Sequence, residues 1–332
     1  TAMSAALVGL ARARYSCNFV TAAENAGAAT RKILDKAGLN EGIFENPEAM
    51  TTAWQLGQVT RLSALWTDNL DIGWEAAEAA SLEGYASFSE ELFARDTHYE
   101  RLSAFCAQAR DEYSDADFNV HSHEGKLYFT RGPIAGDEIE ARQTELYVLS
   151  MMLGTVRSLL VQHWQPKQVA IQSLYRTDTE RHFDTRSTDL RFDQPSTVVV
   201  IESADAARSV DRIIEPSLGA ESYKSSRDLI FVIEDLIRSY IGDHRLSLAF
   251  IAKICDLHPR TLQRLLKEQG SSFRELVARQ RFIAASNFLK ETDLPITEIA
   301  SMLGYTHQAH FGRAFGEYAG LSPVAYRRTI RA

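Results

Sequence analysis

Long polar side chains recur on one face of a short segment near the C-terminal end of the chain, LHPRTLQRLLKEQGSSF. Arg260, Gln263 and Arg264 fall on one side of a helix that a proline would open, and leucines fall on another side. Arginine matches the O6 and N7 atoms of guanine, and glutamine matches the N6 and N7 atoms of adenine. The pattern therefore predicts a helix that reads the edges of DNA bases.

The charge of the chain agrees with such a helix only in its C-terminal part. The formal net charge of the 332 residues is −8. Residues 229–332 hold 14 Lys and Arg against 10 Asp and Glu, a net charge of +4, whereas the rest holds 22 against 34, a net charge of −12. The C-terminal part therefore tolerates a polyanion, and the N-terminal part does not attract one.

Motifs for catalysis are missing from the sequence. It contains no GxSxG, GxxxxGK[ST], GxGxxG or HExxH pattern, so no hydrolase, nucleotide, dinucleotide or zinc-protease site is indicated. Cys17, Cys106 and Cys255 are odd in number and far apart, which predicts neither a disulfide framework nor a metal knuckle. We therefore predict no enzyme and no cofactor.

One short cluster, HSHE, has the residue types of a metal site. His121 and His123 would point to the same face of a strand, next to Glu124. No third ligand is spaced to complete the site, so an ordinary strand beside a turn is the favoured interpretation. We predict no metal site, although the sequence alone leaves these two histidines open.

Aromatic residues of the first two thirds of the chain are candidates for a small-molecule pocket. The residues that we select are Trp54, Trp66, Tyr128 and Tyr147. Aromatic side chains at helical spacing also build ordinary cores, and Met151 suits either a pocket or an interface. Both interpretations stay open.

Length and hydrophobic patterning indicate more than one domain. A chain of this length is long for one core, and 45% hydrophobic with 24% charged residues is ordinary for a globular protein. No uncharged apolar run reaches the roughly 18 residues of a membrane span, and the N-terminal SAALVGLARAR lacks the order of a signal peptide. A cytoplasmic location is the simplest expectation.

Periodicity divides the chain into an α+β part and an all-α part. Helical spacing in PEAMTTAWQLGQVTRLSALWTD and EIEARQTELYVLSMMLGTVRSLLVQHW alternates with a predicted hairpin, ADFNVHSHEGKLYFTRG, and with strands in KQVAIQSLYR and RFDQPSTVVVIES. After a Pro-, Gly- and Ser-containing stretch the pattern is helical to the end. The predicted boundaries are a domain at 1–214, a linker at 215–228 and a second domain at 229–332.

The second domain contains an internal repeat. Ile251-Ala252 matches Ile299-Ala300 at an offset of 48, and the offset grows to 49 and then 50 further along. The later matches pair Leu262, Arg264, Leu266, Gly270 and Ser272 with Phe311, Arg313, Phe315, Gly320 and Ser322. Each copy is a helix, a short turn and a second helix, and one long helix, which a Ser272–Glu275 capping box would open, joins the two copies.

This doubled pattern resembles the AraC/XylS family of bacterial transcription regulators. The segments that carry it are HPRTLQRLLKEQGSSFRELV, LPITEIASMLGY, FGRAF and GLSPVAYRR. The resemblance implies two helix-turn-helix units on a linker helix, whose second helices enter successive major grooves of double-stranded DNA about 34 Å apart. The DNA-contacting positions that it implies are Arg260, Thr261, Gln263, Arg264, Gln308, His310 and Arg313. It also implies RNA polymerase as a partner.

Two departures from the family pattern distinguish the units. Ala309 and Gly312 are small, which predicts that the second unit discriminates less between bases. Both second helices also have histidine, His258 and His307, at the expected N-cap in place of the commoner serine.

The N-terminal part is similar to the arabinose-binding-type sensor domain of these regulators, with QHWQPKQV and LRFDQPSTVVVI as the most similar segments. The resemblance implies binding of a small effector, which need not be arabinose, and pairing of two subunits into a homodimer. An effector-responsive activator is the expected function. The alternative is an enzyme or DNA-repair protein with a DNA-binding tail, but neither Cys17 nor Cys106 lies between the Pro and His of a repair alkyltransferase.

Overall fold

The computed structural model describes residues 8–80, 95, 97–160, 163–174, 179–202 and 229–330. Residues 9–202 and residues 229–330 form two separate compact units. The predicted linker, residues 215–228, lies outside the described residues. Within the described part of the chain, no helix is long and apolar enough to cross a membrane.

The N-terminal unit mixes helices and strands, as the sequence predicts. Its elements are β1 (Leu10–Arg12), α1 (Ala13–Asn25), α2 (Thr30–Ala37), a 3-10 turn (Glu41–Ile43), β2 (Met50–Thr52), α3 (Ala53–Thr67), α4 (Ile72–Ala79), α5 (His98–Glu112), β3 (Phe118–His123), β4 (Lys126–Arg131), α6 (Glu138–Leu159), β5 (Gln168–Ala170), β6 (Asp189–Arg191) and β7 (Thr197–Ile201). The α+β class is therefore confirmed.

Five of the strands form one sheet in the order β3-β4-β7-β5-β6. Neighbouring strands are antiparallel except β5 and β6, which are parallel. The predicted β3–β4 hairpin is confirmed, and its turn residues Glu124 and Gly125 have φ angles of 49° and 75°. Positive φ at both positions matches the right-handed twist of the strands.

The first predicted helix begins later than its periodicity suggests. Met50–Thr52 instead form β2, which pairs with β1. The Thr52 hydroxyl accepts a hydrogen bond from the Gln55 amide at 3.2 Å, and the Gln55 side chain accepts one from the Thr52 amide at 3.0 Å. This capping box fixes the start of α3 at Ala53.

Helix α6 separates two hydrophobic cores inside the N-terminal unit. One core lies between α5, α6 and the sheet and contains Phe105, Phe129 and Val148. The other lies among α1 to α4 and contains Phe19 and Tyr147. Two successive residues of α6 therefore belong to different cores.

Helices α4 and α6 approach closely at a glycine. The Gly73 amide donates to the Oε1 atom of buried Gln143 at 2.9 Å, and the Gln143 Nε2 atom donates to the Leu70 carbonyl at 3.0 Å. A Cβ atom on Gly73 would lie 2.0 Å from the Gln143 carbonyl oxygen. Glycine at this position therefore sets the distance between the two helices.

The C-terminal unit is entirely helical over the described residues, as predicted. Its helices are α7 (Leu229–Ser239), α8 (Leu248–Ile254), α9 (Pro259–Glu268), α10 (Phe273–Glu291), α11 (Ile296–Met302), α12 (Gln308–Ala319) and α13 (Pro323–Ile330). Helices α8 and α9 form the first helix-turn-helix unit, α11 and α12 form the second, and α10 joins them. The predicted capping box of Ser272 and Glu275 opens α10.

Candidate DNA interface and ligand cavity

The turns of the two helix-turn-helix units have the same backbone geometry. The Leu257 amide donates to the Ala252 carbonyl at 2.8 Å, and the Tyr305 amide donates to the Ala300 carbonyl at 2.9 Å. The residue before each of these amides is left-handed, with φ of 54° at Asp256 and 77° at Gly304. The repeat inferred from the sequence therefore extends to individual hydrogen bonds.

The buried positions of the two units also correspond. Ala252 and Ala300 are buried between the paired helices, where a small side chain allows close approach. The first unit buries Leu262 and Leu266 where the second buries Phe311 and Phe315. Left-handed glycines, Gly270 and Gly320, follow the two second helices.

Each second helix leaves polar side chains on the side away from its core. In the first unit Arg260, Gln263 and Arg264 are exposed, and Thr261 is half-buried. In the second unit Gln308, His310 and Arg313 are all exposed. The seven residues selected from the sequence therefore lie on two helices whose opposite sides anchor them to the unit.

The two matched arginines differ in their surroundings. The Arg264 Nη1 atom lies 2.6 Å from the Glu268 Oε1 atom one helical turn away. Arg313 makes no ion pair within the described part of the chain. Arg264 is therefore paired with a carboxylate of its own helix, whereas Arg313 is not paired with any carboxylate of the described residues.

The two histidine N-caps differ as well. The His258 Nδ1 atom accepts a hydrogen bond from the Arg260 amide at 3.2 Å, which requires an unprotonated Nδ1. His307 occupies the corresponding position, but its side chain makes no cap bond to the described helix. The first recognition helix is therefore capped by a side chain and the second is not.

A cavity of about 630 Å³, part of it open to solvent, lies in the N-terminal unit where its two cores meet. Phe19 and Tyr147 line it from one core, and Phe105, Phe118 and Val148 line it from the other. Their rings are in contact: Phe19 and Tyr147 stack with centroids 5.4 Å apart, and Phe105 meets Phe118 edge-on at 5.5 Å. The walls are therefore mainly aromatic and apolar.

Only one of the four aromatic residues selected from the sequence lies in this cavity. Tyr147 lines it, as does Met151. Tyr128 lies on the other face of β4 and stacks on His121, with centroids 5.0 Å apart. Trp66 is 37% exposed under Lys36, and Trp54 is half-buried on α3; neither is among the lining residues.

Sequence reasoning missed Arg131, the charged residue of the lining. It is 3% exposed and ends β4, directly opposite Phe118 of β3. The alternation along β4 could have identified it, because Arg131 falls on the same buried side as Leu127 and Phe129. An arginine is seldom fully buried, so a buried one indicates a specific role. Burial lowers the pKa of Arg131, and Tyr113, Asp117 and Asp115 oppose that shift.

The remaining reactive side chains have ordinary environments. His121 and His123 are exposed on β3, and the described residues contain no group of three or more side chains placed to hold a metal ion. Burial raises the pKa of the Cys17 thiol to about 11 and that of the Cys106 thiol to about 12. Both thiols therefore stay protonated near neutrality, which weakens the repair-enzyme alternative.

Residues 27–210, more than half of the chain, match the family described as the arabinose-binding domain of AraC transcription regulators. The chain belongs to the AraC family of transcription regulators. Residues 251–329 match a helix-turn-helix domain, so both halves of the family architecture are present. The AraC-family assignment and the two-part fold class predicted from sequence are confirmed.

Individual relatives are similar to this chain over about a third of its length. The regulator VirS of Mycobacterium tuberculosis is 32% identical over 35% of this chain and 34% of its own length. The transcriptional activator NphR of a Rhodococcus species is 28% identical over 29% of each chain. The C-terminal domain of AraT from Geobacillus stearothermophilus is 34% identical over 31% of this chain and 85% of that domain, with a TM-score of 0.29. The matched part of this chain spans between 23% and 34% of the length of such curated relatives.

Proposed function

We propose that this AraC-family regulator is an effector-responsive activator that reads two successive major grooves. The observation that carries the proposal is the repeat: two units with the same turn geometry each expose polar side chains on the second helix. Helix α10, which joins them, has 19 residues and is therefore about 28 Å long. That length is of the order of one DNA turn, about 34 Å.

In this proposal each recognition helix contributes the residues selected from the sequence. Arg260, Thr261, Gln263 and Arg264 of α9 read one groove, and Gln308, His310 and Arg313 of α12 read the next. Activation is supported by the similarity to the transcriptional activator NphR, and it makes RNA polymerase the expected protein partner.

The cavity is our candidate for the effector site. Its walls are mainly aromatic and apolar with a few polar groups, as is usual for small-molecule pockets, and they come from two cores of one unit. We place effector binding and homodimer formation in a domain of residues 1–214, DNA binding in residues 229–332, and the linker between them.

The test is a binding selection from randomised DNA with the full chain, followed by footprinting of the selected site. Two protected segments one helical turn apart are expected, and Arg264→Ala should relax preference at one position of one segment. Arg31→Ala is the matched control, since it removes the same charge from the exposed surface of α2 in the other unit. One protected segment without a second would contradict two-groove reading, and turnover of a bound ligand would favour the enzyme alternative.

A further inference from the structure

Arg131 has two hydrogen-bond donors left for a ligand. A guanidinium carries five N–H groups. The Nη1 atom of Arg131 donates to the carbonyls of Gly132 and Pro133 at 3.1 and 3.3 Å, and the Nη2 atom donates to the Asp115 carbonyl at 2.8 Å. The Nε atom has no hydrogen-bond partner among the described residues although it is buried. The free donors are therefore on Nε and Nη2, adjacent nitrogens that suit the two oxygens of a carboxylate.

The charge of Arg131 is also without a direct counter-ion. No carboxylate of the described residues forms an ion pair with it, although Asp115 and Asp117 act on it from further away. Both of those carboxylates have other donors: the Ser114 hydroxyl donates to Asp115 Oδ1 at 3.2 Å, and the Asn119 side-chain Nδ2 atom donates to Asp117 Oδ1 at 3.0 Å. A buried charge with imperfect pairing is costly, so an anion arriving beside it is favoured.

The rest of the lining is suited to an apolar body. Phe19, Phe105 and Phe118 present aromatic surface, and Arg131 is the lining residue with a formal charge. Thr60 adds a buried hydroxyl without a hydrogen-bond partner in the described chain, beside other lining hydroxyls such as that of Tyr147. A phosphate dianion would need more positive charge than the single arginine of this lining offers.

We propose that the effector is an amphipathic monocarboxylate, with an aromatic or aliphatic body between the two cores and its carboxylate on the Nε–Nη2 edge of Arg131. The inference rests on the proposed function, because it assigns a chemical class to the effector of the same cavity.

The experiment compares matched ligands on the full wild-type chain. 2-Naphthaleneacetate and 2-naphthaleneacetamide have the same shape and differ in charge, and decanoate and decanamide form a second, aliphatic pair. Each displaces N-phenyl-1-naphthylamine, a neutral fluorescent dye, from the protein at pH 7.5. At least one carboxylate should bind ten or more times tighter than its amide. Equal affinities in both pairs, or displacement by neither carboxylate, would overturn the proposal.

Two arginine variants test whether the preference comes from Arg131. Arg131→Gln should bring carboxylate and amide to equal affinity, whereas Arg61→Gln should keep the preference, because Arg61 pairs with Asp137 and is not a lining residue. Since Arg131 also holds three backbone carbonyls, the folding of Arg131→Gln is checked by circular dichroism, and the wild-type comparison stands without it. A carboxylate preference that persists in folded Arg131→Gln would contradict the assignment of the ligand carboxylate to Arg131.

The same ligands separate this inference from the proposed function. Carboxylates that bind selectively but leave the DNA footprint unchanged would support the ligand class and contradict effector control. Amides that bind as tightly as carboxylates and also alter the footprint would contradict the ligand class and support effector control.

Discussion

The two helix-turn-helix units share one backbone geometry but differ in their buried and exposed side chains. Their turns share the same hydrogen bond and the same left-handed residue, at Asp256 in one and Gly304 in the other. The first unit has a leucine core and a side-chain cap, whereas the second has a phenylalanine core and lacks a cap bond from His307. The comparison teaches that the turn and the buried positions define the unit, while its exposed face varies independently.

The aromatic core ties the second unit to its neighbouring helices. The Phe315 ring lies 5.2 Å from that of Phe282 on α10 and 5.2 Å from that of Tyr326 on α13. The Arg281 guanidinium lies 4.7 Å from the centre of the Tyr305 ring in the turn. Much of the second unit's stability therefore comes from contacts with α10 and α13.

The largest expected effect breaks the second core. Phe311→Ala should destabilise α11 and α12 by about 3–5 kcal/mol, because it empties a fully buried aromatic site. Leu262→Ala, the matched change in the first unit, should cost about 2–5 kcal/mol and act on α8 and α9. Amide hydrogen exchange of the full chain, analysed helix by helix, measures both. Equal loss of protection in both units from either variant would mean that they unfold together.

The second effect concerns DNA recognition. Arg264→Ala should weaken binding to the preferred site by about 1–3 kcal/mol and relax one base position. Arg313→Ala should cost less, because Ala309 and Gly312 leave fewer long side chains around it. Titration of labelled DNA with each variant measures the difference. A uniform loss on all sequences would instead make Arg264 a phosphate contact.

The third prediction compares the stabilising effects of the two N-cap histidines, His258 and His307. His258→Ala should destabilise α9 by about 1 kcal/mol, since it removes the acceptor for the Arg260 amide. His307→Ala should change the stability of α12 very little, because no cap bond is lost in the described helix. Thermal melting of the two variants side by side gives the answer, and equal losses would show that the histidines act in another way.

The smallest effect has the opposite sign. Gly312→Ala should stabilise α12 by roughly 1 kcal/mol, because alanine favours a helix more than glycine does. A Cβ atom at that position would meet no described atom within 4 Å, so no contact opposes the change. Hydrogen exchange of α12 measures the gain. A decrease in protection would show that this position needs glycine for another reason.

The helical repeat could be predicted from sequence because local rules govern it. Proline at the start of α9, the capping box of α10 and the glycines after the recognition helices each act within a few residues. The cavity could not be predicted in the same way. Tyr128 and Phe129 are neighbours with similar side chains on opposite faces of β4, and the packing of α5 and α6 on one face of the sheet determines which one is buried. Tyr147 was identified, but its partners Phe19 and Phe105 come from distant segments.

Because two cores meet at α6, ligand binding to the cavity can be measured as a change in protein stability, without DNA. Tyr147 and Val148 follow each other in the chain and pack into separate cores, and the cavity touches both. A molecule bound there contacts both halves of the unit at once, so it binds the folded state far better than the unfolded chain. By mass action, a ligand at 100 times its dissociation constant adds about 2.7 kcal/mol to the free energy of unfolding. A rise in melting temperature can therefore rank unknown effectors before any operator sequence has been found.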